Sequence, residues 1–139
     1  MIIKENNFSK FYLNTNNLDN IILFVNFKKQ LPENNEWKET NNLIKFFYKN
    51  AENNNYKFSM IVDISNLGNI EFTKYNDWLE LFNNLKEKTK KYIIKTCIIT
   101  DSTILKNTIN LFLIIYKPVR PMKILNNQNE ALEFINNNN

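Results

Sequence analysis

The hydrophobic pattern of the chain centres on residues 57–65, Lys-Phe-Ser-Met-Ile-Val-Asp-Ile-Ser. Nearly every position from Phe58 to Ile64 is apolar, and the run stops at a turn-prone segment holding the only glycine, Gly68. A strand this apolar is buried on both faces, which predicts the middle of a sheet with helices on either side. Upstream, residues 1–7 read as a lead-in with an edge strand at Ile2 and Ile3. Residues 11–14 and 21–27 read as two strands joined by an Asn-rich turn, making a hairpin. Residues 30–35, with Pro32, form a loop. The period then changes: Trp37, Leu43, Ile44, Phe47 and Tyr48 recur at helical spacing, predicting a helix over 36–51.

After the central strand, Thr73 reads as an N-cap, with Asp77 early in the helix where its charge suits the dipole. Trp78, Leu81, Phe82 and Leu85 form one stripe of a helix running from 74 to 90. Residues 92–100 predict another buried strand. Asp101-Ser102-Thr103 offers capping chemistry for a helix over 103–116, carrying Leu105, Ile109, Phe112, Leu113 and Tyr116 on one side, and Pro118 stops it. Residues 119–125, with Pro121, read as an edge strand. Residues 130–135 form a last short helix, and 136–139 a frayed tail. The order is ββαβαβαβα: an α/β fold with a mixed, mostly parallel sheet of four to five strands and about four helices. No repeat or long linker divides residues 1–139, so one domain is expected.

Composition narrows the chemistry. The 139 residues are 43% hydrophobic and 14% aromatic, which fits a folded core and not a disordered chain. The abundance of Asn, Lys, Ile and Phe points to an A/T-rich genome. Net charge is +4, and the lysines are scattered among acids. The run from Lys86 to Lys91, interrupted by Glu87, reads as the solvated end of a helix, so nucleic acid is not the expected partner. Histidine is absent, which removes the commonest general base and metal ligand. The single cysteine, Cys97, lies in an apolar run and reads as a core thiol, consistent with a reducing compartment. The N-terminus lacks the pattern of a signal peptide. The most apolar segment, 109–116, is too short to span a bilayer. A cytoplasmic protein is expected.

Two stretches resemble a known family. Met60-Ile-Val-Asp-Ile-Ser-Asn-Leu-Gly-Asn-Ile-Glu-Phe-Thr73 is similar to the strand, Asp-x-Ser turn and helix-leading loop of STAS and SpoIIAA-like domains. From Tyr92, a strand ending at Thr100-Asp101, a helix, and Pro118-Val-Arg-Pro-Met-Lys-Ile124 leading to Asn129-Glu-Ala-Leu-Glu-Phe134 resemble the SpoIIAA-like ending. The resemblance implies a protein-interaction and regulatory module without catalytic residues or cofactor. In anti-sigma-factor antagonists of this family, a serine in an Asp-Ser-Ser-Gly pattern is phosphorylated by a partner kinase. Aligning Asp63 on the family's strand-end aspartate places Glu71, Phe72, Thr73 and Lys74 on those four positions, with Thr73 at the phosphorylated place. Phe72 and Lys74 depart from the pattern. The implied partner loop comprises Asp63, Ser65, Gly68, Glu71, Thr73 and Lys74.

Other constellations are thinner. Asp63, Thr100 and Asp101 fall at the carboxyl ends of neighbouring strands, where α/β sheets place ligands. The aspartates suit a cation or acid–base chemistry, or plain capping of loop amides. One glycine allows no phosphate-cradling loop, and Asp101-Ser102 lacks the glycines of a nucleophile turn. Leu111, Ile114 and Ile115 remain apolar after the core stripe of the 103–116 helix is assigned. Such a surplus predicts deep burial, an interface with a protein partner or a second copy, or, as in CRAL-TRIO-like relatives, a site for a lipid or small apolar ligand.

Overall fold

In the computed structural model, which describes residues 1–137, six strands form one sheet in the order β1-β2-β3-β4-β5-β6. These are β1 (Ile2–Glu5), β2 (Ser9–Asn14), β3 (Ile22–Phe27), β4 (Phe58–Asp63), β5 (Ile93–Ile99) and β6 (Met122–Leu125). The first two pairings are antiparallel, and β3 through β6 run parallel. The helices are α1 (Asn34–Asn54), α2 (Phe72–Asn84), α3 (Lys86–Tyr92), α4 (Thr103–Ile115) and α5 (Gln128–Asn136). The expected fold class holds, with one strand and one helix more than the expected order counts; the strand is the edge strand expected at Ile2 and Ile3.

The additional strand is the lead-in. Asn6 turns it back: its Oδ1 accepts from the Phe8 and Ser9 amides at 2.8 and 2.7 Å, an Asx turn that pairs Ile2 with Leu13. The additional helix arises because the expected 74–90 segment breaks at Leu85, whose φ and ψ of −92° and 4° leave the helical region. The break seats Leu85 in the core and lets Thr89 Oγ1 bond both the Leu85 carbonyl and the Tyr48 hydroxyl, each at 3.0 Å. α1 runs longer than 36–51. Glu36, in its first turn, accepts from the Glu33 amide at 2.8 Å and pairs with Lys29 at 2.7 Å. At the far end Asn55 adopts φ 52°, a left-handed cap that asparagine tolerates well. Asn136 is still helical and Asn137 caps α5, so that much of the expected frayed tail is ordered; the rest of it lies outside the described residues.

β4 lies between β3 and β5, and Phe58, Ser59, Met60 and Ile61 are all buried. Alternation splits its side chains: Phe58 and Met60 join the core under α1, α2 and α4, whereas Ile61 faces α5. Helices therefore cover both faces, α1 through α4 on one, where Tyr92 of α3 joins the same core, and α5 alone on the other. On the reverse face Ala131, fully buried, lets α5 lie close against β5. There the buried Lys95 ammonium donates to the Phe134 carbonyl at 2.9 Å and to that of Asn137, satisfying carbonyls at the end of α5.

Candidate interaction surface

Parallel strands deliver their carboxyl ends to one edge, and the loop after β4 is built into it. Leu67 and Ile70 are buried anchors. The Gly68 amide donates to the Gln30 carbonyl at 2.9 Å, and Asn66 Nδ2 to that of Phe27 at 3.0 Å. A Cβ on Gly68 would stand 3.0 Å from that of Gln30, so a larger residue would press on the facing loop and glycine eases the approach of the two loops. Asp63 Oδ1 accepts from the Ser65 amide at 2.9 Å, the loop-amide role. The β4–β5 register pairs Asp63 with Ile99, which puts Asp101 two residues past that position. Among the described residues no three His, Cys, Asp or Glu side chains could together hold a metal ion.

The helix that follows corrects one expectation. Glu71 takes the N-cap position of α2 without a side-chain bond, and Thr73 lies inside the first turn, exposed and making no cap bond either. Phe72 takes the first helical position and is 74% exposed. Asp77 serves as acceptor for Trp37 Nε1 at 3.0 Å, while Trp78 Nε1 donates to Asn41 Oδ1 at 3.0 Å. These reciprocal indole bonds clamp α2 onto α1. Lys74 is held too: Nζ donates to Asn34 Oδ1 at 3.1 Å and lies 5.8 Å from the Trp37 ring.

Ser102 caps α4 as expected, its Oγ accepting from the Leu105 amide at 3.2 Å. α4 buries only Leu105 and Ile109, with Phe112 and Leu113 partly covered. The other side stands in solvent: Ile104 is 69%, Leu111 65%, Ile114 70% and Ile115 67% exposed. At 3.6 residues per turn Ile104, Leu111 and Ile115 line up, with Ile114 beside them. Ile104 escaped the sequence reading, although its seven-residue spacing to Leu111 was visible there.

Beneath α4 lies a cavity of about 100 Å³. Met60 and Ile98 contribute to its sheet side, Phe82 comes from α2, Phe112 from α4 and Tyr116 from the C-cap of α4. Its polar lining includes the bonded pair Tyr48 and Thr89, beside Thr40 and Thr96. Burial pushes the Tyr48 phenol far above its ordinary range, so it remains a neutral donor. On the reverse face Cys97 is buried, and burial, followed by the Glu130 carboxylate, raises its thiol to about 11. A thiol so shifted is protonated at neutral pH and a poor nucleophile.

The family profile of a domain of unknown function, DUF7793, matches residues 16–139. The chain belongs to this family. Among curated proteins there is no match. Among solved structures, the chain is similar to an uncharacterized protein of the DUF3478 family, with a SpoIIAA-like fold, from Shewanella loihica PV-4. That likeness has a TM-score of 0.66 at 11% identity and covers 97% of this chain and 99% of the other. Identity this low speaks to the fold alone, and the fold is SpoIIAA-like. Among the described residues no helix is long and apolar enough to cross a membrane.

Proposed function

We propose that this protein is a non-enzymatic, regulatory interaction module of STAS/SpoIIAA-like type, working in the cytoplasm, that pairs with a second copy through α4. The carrying observation is the aliphatic stripe of Ile104, Leu111, Ile114 and Ile115 on a helix whose one charged residue is Lys106. Water contact at four large aliphatics is unfavourable by roughly 1.5–3 kcal/mol each relative to full burial, and a near-uncharged surface can meet itself without stranding a charge. Antiparallel pairing about a two-fold axis near residues 109 and 110 would set Ile104 against Ile115 of the second copy and Thr108 against its Leu111. At about 1.5 Å per residue, α4 is only roughly 20 Å long. That is less than the roughly 800 Å² per partner of a standard interface requires, so the dimer is weak.

Sedimentation velocity tests this directly. Wild-type protein is expected to shift toward dimer with rising concentration, and a Leu111→Ser/Ile115→Ser variant to stay monomeric. Concentration-independent monomer in both removes the reading. Within the same proposal the 66–74 segment, anchored by Leu67 and Ile70 and bonded to Gln30, is the face offered to a regulatory protein, and Thr73 is the position open to phosphorylation. A phosphate there would meet the α2 N-terminus.

The cavity under α4 supports a second reading, a carrier of a small apolar ligand or lipid. About 100 Å³ is below the roughly 150 Å³ that holds a benzene. A lipid chain enters only if α4 moves outward. Native mass spectrometry of protein from its source decides: a co-purifying apolar ligand favours the carrier, and its absence the interaction module.

A further inference from the structure

A second surface, away from α4, has its own chemistry. α1 and the α2–α3 pair run side by side, clamped by the two indole bonds at one end and by Glu52 to Lys88, 3.6 Å apart, at the other. Between them is an open groove of about 420 Å³, lined by Leu81, Leu85 and Phe46, by Lys45, Lys49 and Lys88, and by Asn84. Apolar side chains and ammonium groups thus share one short trough.

The lysines already show what they bind. The Glu52 carboxylate takes a bond from Lys49 at 3.1 Å and lies near Lys88, and the Lys49 bond holds its carboxyl below the usual range. One glutamate among three lysines leaves the groove cationic. Among the described residues Lys45 has no acidic partner within ion-pair distance. Glu52 is thus a resident example of the side chain an incoming segment would supply.

We propose that this groove docks an acidic peptide segment of a partner protein, with carboxylates on Lys45, Lys49 and Lys88 and an apolar side chain over Leu81, Leu85 and Phe46. Charge complementarity selects the segment and the apolar floor holds it. A single-stranded nucleic acid fits less well. Its bases need aromatic platforms, and the lining offers one ring, Phe46. The groove shares no residue with the α4 stripe, so the inference stands apart from the pairing proposed above.

The test is fluorescence anisotropy with three labelled twelve-residue probes: alternating Glu and Leu, alternating Lys and Leu, and all Glu. An unlabelled oligo-dT serves as competitor. The Glu–Leu peptide is expected to bind, more weakly as salt rises, and ahead of both other peptides. Lys45→Glu with Lys49→Glu should weaken it by about tenfold or more; both side chains are exposed, so the fold is retained. Leu111→Ser/Ile115→Ser should leave it unchanged. Equal binding of the Glu–Leu and Lys–Leu peptides, equal binding of the all-Glu peptide, displacement by oligo-dT, or indifference to the lysine changes would each overturn the proposal. So would loss of binding in the α4 variant.

Discussion

α4 and α5 are near neighbours in the chain and opposites in use. Both follow a parallel strand, and both start from a polar cap, Ser102 Oγ on the Leu105 amide and Asn127 Oδ1 on the Glu130 amide. α5 is the shorter and less apolar, yet it is the better seated. Ala131 lets it approach β5, Ile135 fills the gap, and Lys95 closes its last carbonyls. α4 is apolar around much of its circumference, yet buries two residues and roofs a cavity. Apolarity alone therefore does not measure how firmly a helix is held. What counts is whether shape and hydrogen bonding let it close on the sheet. Where apolar surface exceeds what the core can take, the remainder is available for another molecule.

The contrast can be broken most forcefully at the seats of the two helices. Ile109→Ala, beside a cavity that is already there, should cost about 2–5 kcal/mol in urea unfolding. Ala131→Leu should cost about 1–3 kcal/mol, because α5 has no room for added volume. Near-zero cost at Ala131 would mean that α5 is not closely seated. Lys95→Met removes the donor to two carbonyls while keeping the stem, and should cost about 1 kcal/mol. By contrast Leu111→Ser should change monomer stability by under about 0.5 kcal/mol; a larger loss would mean that α4 is held by the face described here as free.

The smallest effect is electrostatic, lies on neither helix, and gives a baseline for both. The hydrogen bond from the Glu33 amide, then that from Lys29, lowers the Glu36 pKa from its usual 4.5. A lowered carboxylate pKa adds stability above 4.5 that fades as pH falls through the folded-state value. The stability gap between wild type and Glu36→Gln should thus be present near neutrality and shrink below pH 4.5. An acid titration of urea midpoints reads it, and a gap that grows on acidification would contradict the assignment.

The central sheet was legible because β4 and β5 are long apolar runs, and no other arrangement hides both faces of residues 58–64. β1 was legible only at Ile2 and Ile3: it is four residues, mostly exposed, and its pairing depends on the side chain of Asn6. The break at Leu85 was hidden, since a leucine on the apolar stripe gives no local sign of a kink that only the meeting of Thr89 with Tyr48 in three dimensions makes sense of. Thr73 resembles a cap by type, but Phe72 continues the helix one residue earlier. Of the candidate surfaces, Leu111, Ile114 and Ile115 were readable as surplus on one helix. The lysine groove was not, because Lys45 and Lys49 lie far along the chain from Lys88.

Cross-linking tests the α4 account most directly. In a Cys97→Ser background, Leu111→Cys places one thiol in the stripe and Asn83→Cys places one on exposed α2 as a control. Under mild oxidation the Leu111→Cys protein should form a disulfide-linked dimer far faster than the control, and added Ile115→Ser should suppress it. Equal rates for the two thiols, or no effect of Ile115→Ser, would contradict α4 as the docking face.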